Sequence, residues 1–130
     1  MAVAPVQTRI PIWVVGVWPA PKSMRRTLRC DGVIPQYQAA DRNSRMPTRD
    51  DARAVRTWLT EQGVPAGFDL IADGETPVDD AATAAAMVQH WADAGCTWWL
   101  ETRWDARDRM KARIAAGPPR ERLLEQAGSR

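Results

Sequence analysis

Four short apolar runs that alternate with helix-patterned segments constrain this chain more than any other feature. The first covers residues 10–15 and is closed by Gly16; a β-branched apolar run of this length reads as a strand covered by other elements. Residues 32–35, 67–72 and 96–101 read as the second, third and fourth strands. The segments between them carry helix signals. Ser23 is a candidate N-cap for a short helix reaching residue 29. Thr48 with Asp51 three residues on makes a capping box, with Asp replacing the usual Glu or Gln, and Ala52, Val55 and Leu59 then share one helical face as far as Gly63. Thr76 with Pro77 behind it opens a third helix in the same way, with a stripe of Val78, Ala81, Ala85, Val88 and Ala92 that Gly95 ends. A fourth helix spans residues 106–116, pairs Met110 with Ile114 and stops at Gly117.

Strands that alternate with helices pair in parallel through right-handed crossovers, so the predicted class is α/β: four consecutive βα units on a parallel sheet. Residues 36–47 are polar and aperiodic and read as a loop, and residues 121–130 as a polar tail. No internal sequence repeat is visible.

Composition matters here mainly for what it excludes. With 18 basic and 16 acidic side chains among 130 residues, the chain has no basic block of the kind that grips nucleic acid. Its longest apolar stretch, residues 10–20, holds two prolines and falls well short of the ~20 residues a bilayer span needs. Residues 1–10 carry no apolar core followed by a small-residue cleavage site, so no export signal is read, and the expectation is a cytoplasmic protein. Cys30 and Cys96 match no metal spacing and flank apolar segments, where a free cysteine behaves as a small hydrophobe. The one histidine, His90, sits mid-helix between polar and apolar faces. A Ser-His-Asp triad or a multi-histidine metal site therefore has no place here, and no metal is expected.

In parallel α/β folds, ligands gather beyond the carboxyl ends of the strands. That rule selects residues 16–26, 35–38, 73–76 and 101–104. In the first segment Gly16 allows close backbone approach, Ser23 opens a helix, and Lys22, Arg25 and Arg26 supply cations, a combination suited to a phosphate. The spacing matches neither dinucleotide nor P-loop fingerprints, so an ordinary βα loop with a solvated basic face stays open as the alternative. In the fourth, strand alternation puts Thr97, Trp99 and Glu101 on one face and Trp98 and Leu100 on the other. Glu101 then stands at the strand's end as a possible ligand contact, against the alternative of a solvated carboxylate. The acidic pairs Asp50–Asp51 and Asp79–Asp80 are assigned to the first turns of their helices, where carboxylates suit the dipole.

PIWVVG at 11–16, RCDGVIP at 29–35, FDLIADGETP at 68–77, ADAGCTWWLE at 92–101 and RIAAGPP at 113–119 occur in that order. Together they resemble the C-terminal half of the luciferase-like monooxygenases, flavin-dependent oxidoreductases with a (β/α)8 barrel. The resemblance implies that residues 1–120 form a partial barrel domain whose four strands are the fifth to eighth. It implies FMN, or a deazaflavin in some branches, as cofactor and a small organic molecule as substrate, with no general base assigned. By the family's pattern, Gly16, Trp18, Ser23 and Arg26 would bind the cofactor, and Trp99 and Glu101 would line the substrate pocket at the barrel mouth. The first four strands have no counterpart among these 130 residues, about half the ~250 of a complete barrel. Two open sheet edges and an exposed inner face carrying Ile12, Val14 and Trp99 are then expected. A homodimer or a separately encoded N-terminal half would cover them. Two other readings stand beside this one: a non-catalytic α/β fragment that associates through its sheet edges, and a small α/β protein that binds some other phosphorylated ligand.

Overall fold

The computed structural model describes residues 6–102 and 107–118. Its elements run β1 (Trp13–Trp18), α1 (Pro21–Thr27), β2 (Gly32–Tyr37), α2 (Arg49–Glu61), β3 (Asp69–Gly74), α3 (Ala81–Asp93), β4 (Trp98–Glu101) and α4 (Arg107–Ala116). The four strands form one sheet in the order β1-β2-β3-β4, and every neighbouring pair is parallel. The predicted α/β fold of consecutive βα units is therefore the fold observed. A strand order that never reverses is the order found in barrels; doubly wound sheets reverse direction.

Register and alternation divide the sheet into two faces. Val14, Gly16, Val33, Tyr37, Leu70, Ala72 and Trp99 look toward the helices. The core lies there: Met24 of α1, Val33 and Tyr37 of β2, Val55 and Leu59 of α2, Phe68 and Leu70 form one buried cluster. The other face carries Trp13, Val15, Val17, Ile34, Ile71, Trp98 and Leu100. On it Val15 is 47% exposed and Trp98 is 53% exposed, with Ile12 at 53% just before β1. The exposed inner face is thus real, but Val15 and Trp98 stand where Val14 and Trp99 were expected. The pairing decides the faces: Val14 lies opposite Val33 and Trp99 opposite Ala72, both on the helix side, while β1 starts three residues later than predicted, its ladder beginning at Trp13 opposite Gly32 with the Ile12 N–H taken by the Asp31 carboxylate at 2.8 Å. Trp13 reaches across the sheet on this face, donates to Asp69 at 3.0 Å and touches Trp98 with ring centroids 5.1 Å apart.

The same shift places Gly16 in mid-strand opposite Pro35, so it does not close β1 as predicted. A Cβ on Gly16 would lie 2.8 Å from Thr27 Cγ2 and 2.9 Å from Met24 Sδ. Its missing side chain lets α1 press against the sheet.

The remaining helix signals divide by kind. The capping box of α2 forms as predicted: Thr48 Oγ1 accepts from Asp51 N, and Asp51 accepts from Thr48 N. Ala52, Val55 and Leu59 are buried without remainder, and Gly63 follows the helix at φ +73°. Ser23, by contrast, is not a cap. Ala20 holds that position with Pro21 behind it, and Ser23 lies inside α1. Nor does Thr76 cap α3. Asp80 does, accepting from the Thr83 amide at 2.9 Å and the Thr83 hydroxyl at 2.6 Å, so the helix starts at Ala81. That start makes Ala84 the buried residue of α3 and leaves Ala81 exposed. Gly95 ends the helix at φ +103°, as predicted. In α4 the buried side chain is Arg113, whereas Ile114 is exposed. The predicted helix start at residue 106, the strand-end residues 103 and 104 and the tail at 121–130 fall outside the described residues.

Candidate functional site

A cleft of about 730 Å³ opens at the carboxyl ends of β2 and β3, between the sheet, the loop after β2 and α3. Its walls are largely aromatic and thioether: Tyr37, Met46, Met87, Trp91 and Trp99. Its polar groups include Asp73, Glu75 and Arg45. Three of the four strand-end segments chosen from sequence contribute: 35–38, 73–76, and 101–104 through Thr102. Residues 16–26 contribute nothing to it.

The Trp99 wall is built by a chain of contacts. Its indole lies across Gly74, where a Cβ would sit 2.8 Å from Trp99 Cη2, so only glycine leaves the ring its place. Its Nε1 donates to Glu101 at 3.0 Å, which confirms that the two side chains share a face. Glu101 also accepts from the Thr76 amide at 2.7 Å and the Thr76 hydroxyl at 2.8 Å, and Thr76 is 1% exposed. Burial pushes the Glu101 carboxyl up, but the bonds from Thr76 and Trp99, with Arg113's charge, bring it below its ordinary value. Glu101 is therefore a clamp between β4 and the β3–α3 connection. It borders a second, smaller cleft of about 310 Å³ with Trp99, Met110 and Arg113. Arg113 crosses that region to donate to the carbonyls of Pro77, at 3.1 Å, and Gly117.

The opposite lip of the large cleft is set by Asp51. Besides capping α2, it holds both terminal nitrogens of Arg45 at 2.6 Å, a two-pronged pair that leaves Arg45 over the Tyr37 ring at 5.9 Å. The Arg45 guanidinium, with the two Thr48 bonds, holds the Asp51 carboxyl well below the usual range against the opposing effect of burial. Asp73 is the contrast. Among the described residues its carboxylate has no side-chain partner, and burial raises it above its ordinary value. The Tyr37 hydroxyl likewise has no hydrogen bond among the described residues, and burial foremost pushes its phenol up.

The four residues assigned to a cofactor lie elsewhere, on β1 and α1. Trp18 ends β1 with its ring edge-on to Trp58, centroids 6.2 Å apart. Ser23 Oγ accepts from the Val17 amide at 2.9 Å, and Arg26 donates to the Val15 carbonyl at 3.2 Å. The carbonyls of Ile12 and Trp18 accept from Asp31 and Gln38, so even-numbered residues of β1 address β2, and Val15 and Val17 address the open side. Ser23 and Arg26 thus cover part of the β1 edge that was expected to be bare, and the Ala20 amide adds to this by donating to the Val17 carbonyl at 2.9 Å. The two side chains still fit a phosphate: the Ser23 hydroxyl keeps its own hydrogen to donate, and Arg26 keeps the rest of its fork. Gly16 adds no cradle, since Met24, Thr27 and Val33 fill the space beside it.

His90 is exposed, edge-on to Trp91. Burial pushes the Cys96 thiol up to about 11, which suits packing and not nucleophilic chemistry. Sequence reasoning missed Met87 and Trp91, although a helix counted from an Asp80 cap places Ala84, Met87 and Trp91 on one face. It also missed Ser44–Pro47 (residues 44–47), for which a polar, aperiodic segment gives no local signal. Among the described residues no helix is long and apolar enough to cross a membrane, and no group of three acidic, His or Cys side chains could hold a metal ion. No protein-family model, curated protein or solved structure matches the chain.

Proposed function

We propose that these four βα units are one half of a (β/α)8-type flavin-dependent oxidoreductase or monooxygenase, similar to the luciferase-like enzymes and acting on a small organic substrate. The observation that supports it best is the unreversed parallel order β1-β2-β3-β4, whose one face is packed with helices while the other, with Val15 and Trp98, is open as a barrel interior would be. Reduced FMN, or a deazaflavin, would supply the redox chemistry when bound. On this reading Ser23 and Arg26 bind the cofactor phosphate, Trp99 and Glu101 shape the adjoining pocket, and four further βα units supply the remaining ring and substrate contacts.

The purified chain is expected to quench FMN fluorescence with a Kd below ~100 μM, equivalent to about −5.5 kcal/mol. Ser23→Ala and Arg26→Ala should weaken that binding more than Arg107→Ala. Absence of quenching at that concentration, in any association state the protein adopts, would refute the proposal.

A second reading has its own support: a non-catalytic module that associates with a copy of itself or another chain. The exposed Ile12, Val15 and Trp98 favour contact through the inner sheet face over pairing at the β1 edge, which α1 partly covers. Sedimentation that finds a monomer at all concentrations would exclude association with a copy of itself.

A further inference from the structure

The large cleft carries a chemistry of its own, independent of the flavin reading. Tyr37, Met46, Met87, Trp91 and Trp99 make it a slot for a flat or apolar body. Among the described residues, three charged side chains line it. Arg45 is neutralised by the two-pronged pair with Asp51, and Glu75 also has an interaction partner. Asp73 remains as the charge without a side-chain partner among the described residues.

We propose that this cleft is a binding site for an organic amine, an ammonium group on an aromatic or apolar body, with Asp73 as its counter-ion. The ammonium supplies the opposite charge that the Asp73 carboxylate, bonded only to a backbone N–H, lacks among the described residues. The aromatic side chains that line the slot attract a cation held near them. Among the described residues an anion finds no free cation in the slot, because Arg45 is already held by Asp51. The rise of the Asp73 carboxyl through burial supports the same assignment: a half-buried carboxylate without a partner is unfavourable until a cation arrives. None of the proposed phosphate contacts lies in this cleft, so amine and flavin binding are separable.

The test is a series of isosteric probes at neutral pH, read by the intrinsic fluorescence of the tryptophans and by calorimetry: phenethylamine as cation, 2-phenylethanol as neutral body, 3-phenylpropionate as anion. The amine should bind at least about tenfold more tightly than the alcohol, a difference of ~1.4 kcal/mol, and the acid should not bind measurably. Asp73→Asn should abolish the amine's advantage and leave the alcohol's affinity unchanged. Equal binding of amine and alcohol overturns the proposal, as does an amine preference that survives Asp73→Asn. The wild-type series decides even if the variant folds poorly. A parallel FMN titration keeps the two readings apart: amine preference without FMN binding removes the flavin reading alone, and FMN binding without amine preference removes this one alone.

Discussion

β1 and β3 are equivalent elements in this fold, and each carries a glycine on its helix-facing side, Gly16 in mid-strand and Gly74 at the strand's end. They have opposite fates. At β1 the space beside Gly16 is filled by Met24, Thr27 and Val33, and the nearby polar groups are joined to the strand itself, Ser23 to Val17 and Arg26 to Val15. At β3 the space beside Gly74 is filled by the Trp99 ring, whose far side borders a cleft, and Asp73 faces that cleft without a side-chain partner among the described residues. A glycine on that side makes room. Whether that room becomes a packed joint or the wall of a site depends on whether the filling group is itself locked.

The sharpest test of the contrast, and the largest expected effect, is Gly16→Ala. Thr27 is stiff and fully buried, so a Cβ placed 2.8 Å from it must push α1 away, with a loss of about 2 kcal/mol in urea unfolding. Binding of phenethylamine should be unchanged. Next comes Asp51→Ala, which removes a capping box and the anchor of Arg45 together, for a loss of about 1.5 kcal/mol. The pH dependence has a definite sign. Because the folded Asp51 carboxyl lies below its ordinary value, its contribution is present above the normal carboxylate range and is lost as pH falls through and below about 4. Unfolding measured from pH 6 downward should show that loss in the wild type and a smaller one in the variant. Freed from Asp51, Arg45 would also repel a cation in the cleft, so amine affinity should fall by severalfold.

The helix-side architecture was legible in the sequence because its signals are local and agree with one another. Thr48, Asp51, Ala52, Val55, Leu59 and Gly63 state the start, the face and the end of α2 within a few turns. The site was legible only in outline. The strand-end rule selected residues 35–38 and 73–76, members of which line the cleft, yet two caps competed before α3. Thr76-Pro77 looked better in isolation, but Thr76 is drawn to Glu101 from a strand 25 residues away, leaving Asp80 to cap. A side chain's choice between a local and a distant partner is not written in the local sequence. The same holds for Ser23, which has a helix-cap residue type but bonds the strand edge beside it.

Gly74→Ala should behave unlike its β1 counterpart. The added Cβ meets the rim of the Trp99 ring at 2.8 Å, and that ring has an open cleft to move into. A loss of about 1 kcal/mol is expected, half that of Gly16→Ala. Amine binding should nevertheless drop markedly, because the ring moves into the slot. If both alanine variants lose the same stability and Gly74→Ala still binds phenethylamine normally, the distinction between locked and yielding filler is wrong.

The smallest effect is the most diagnostic, because it runs in the opposite direction. Asp73 is raised by burial, so its carboxyl is compatible with the fold while protonated, and stability declines as pH rises through the folded value. Asn mimics the protonated form at every pH. Asp73→Asn should therefore match the wild type below about pH 4 and be more stable at pH 7, by ~0.5 kcal/mol once solvent screening of this half-exposed group is allowed for. Phenethylamine at a concentration that fills the wild type but not the variant should erase the difference, by stabilising the wild type more. A variant less stable than the wild type at pH 7 would mean that the carboxylate already has a partner in the fold, and the empty end of the comparison would then be as closed as the end at β1.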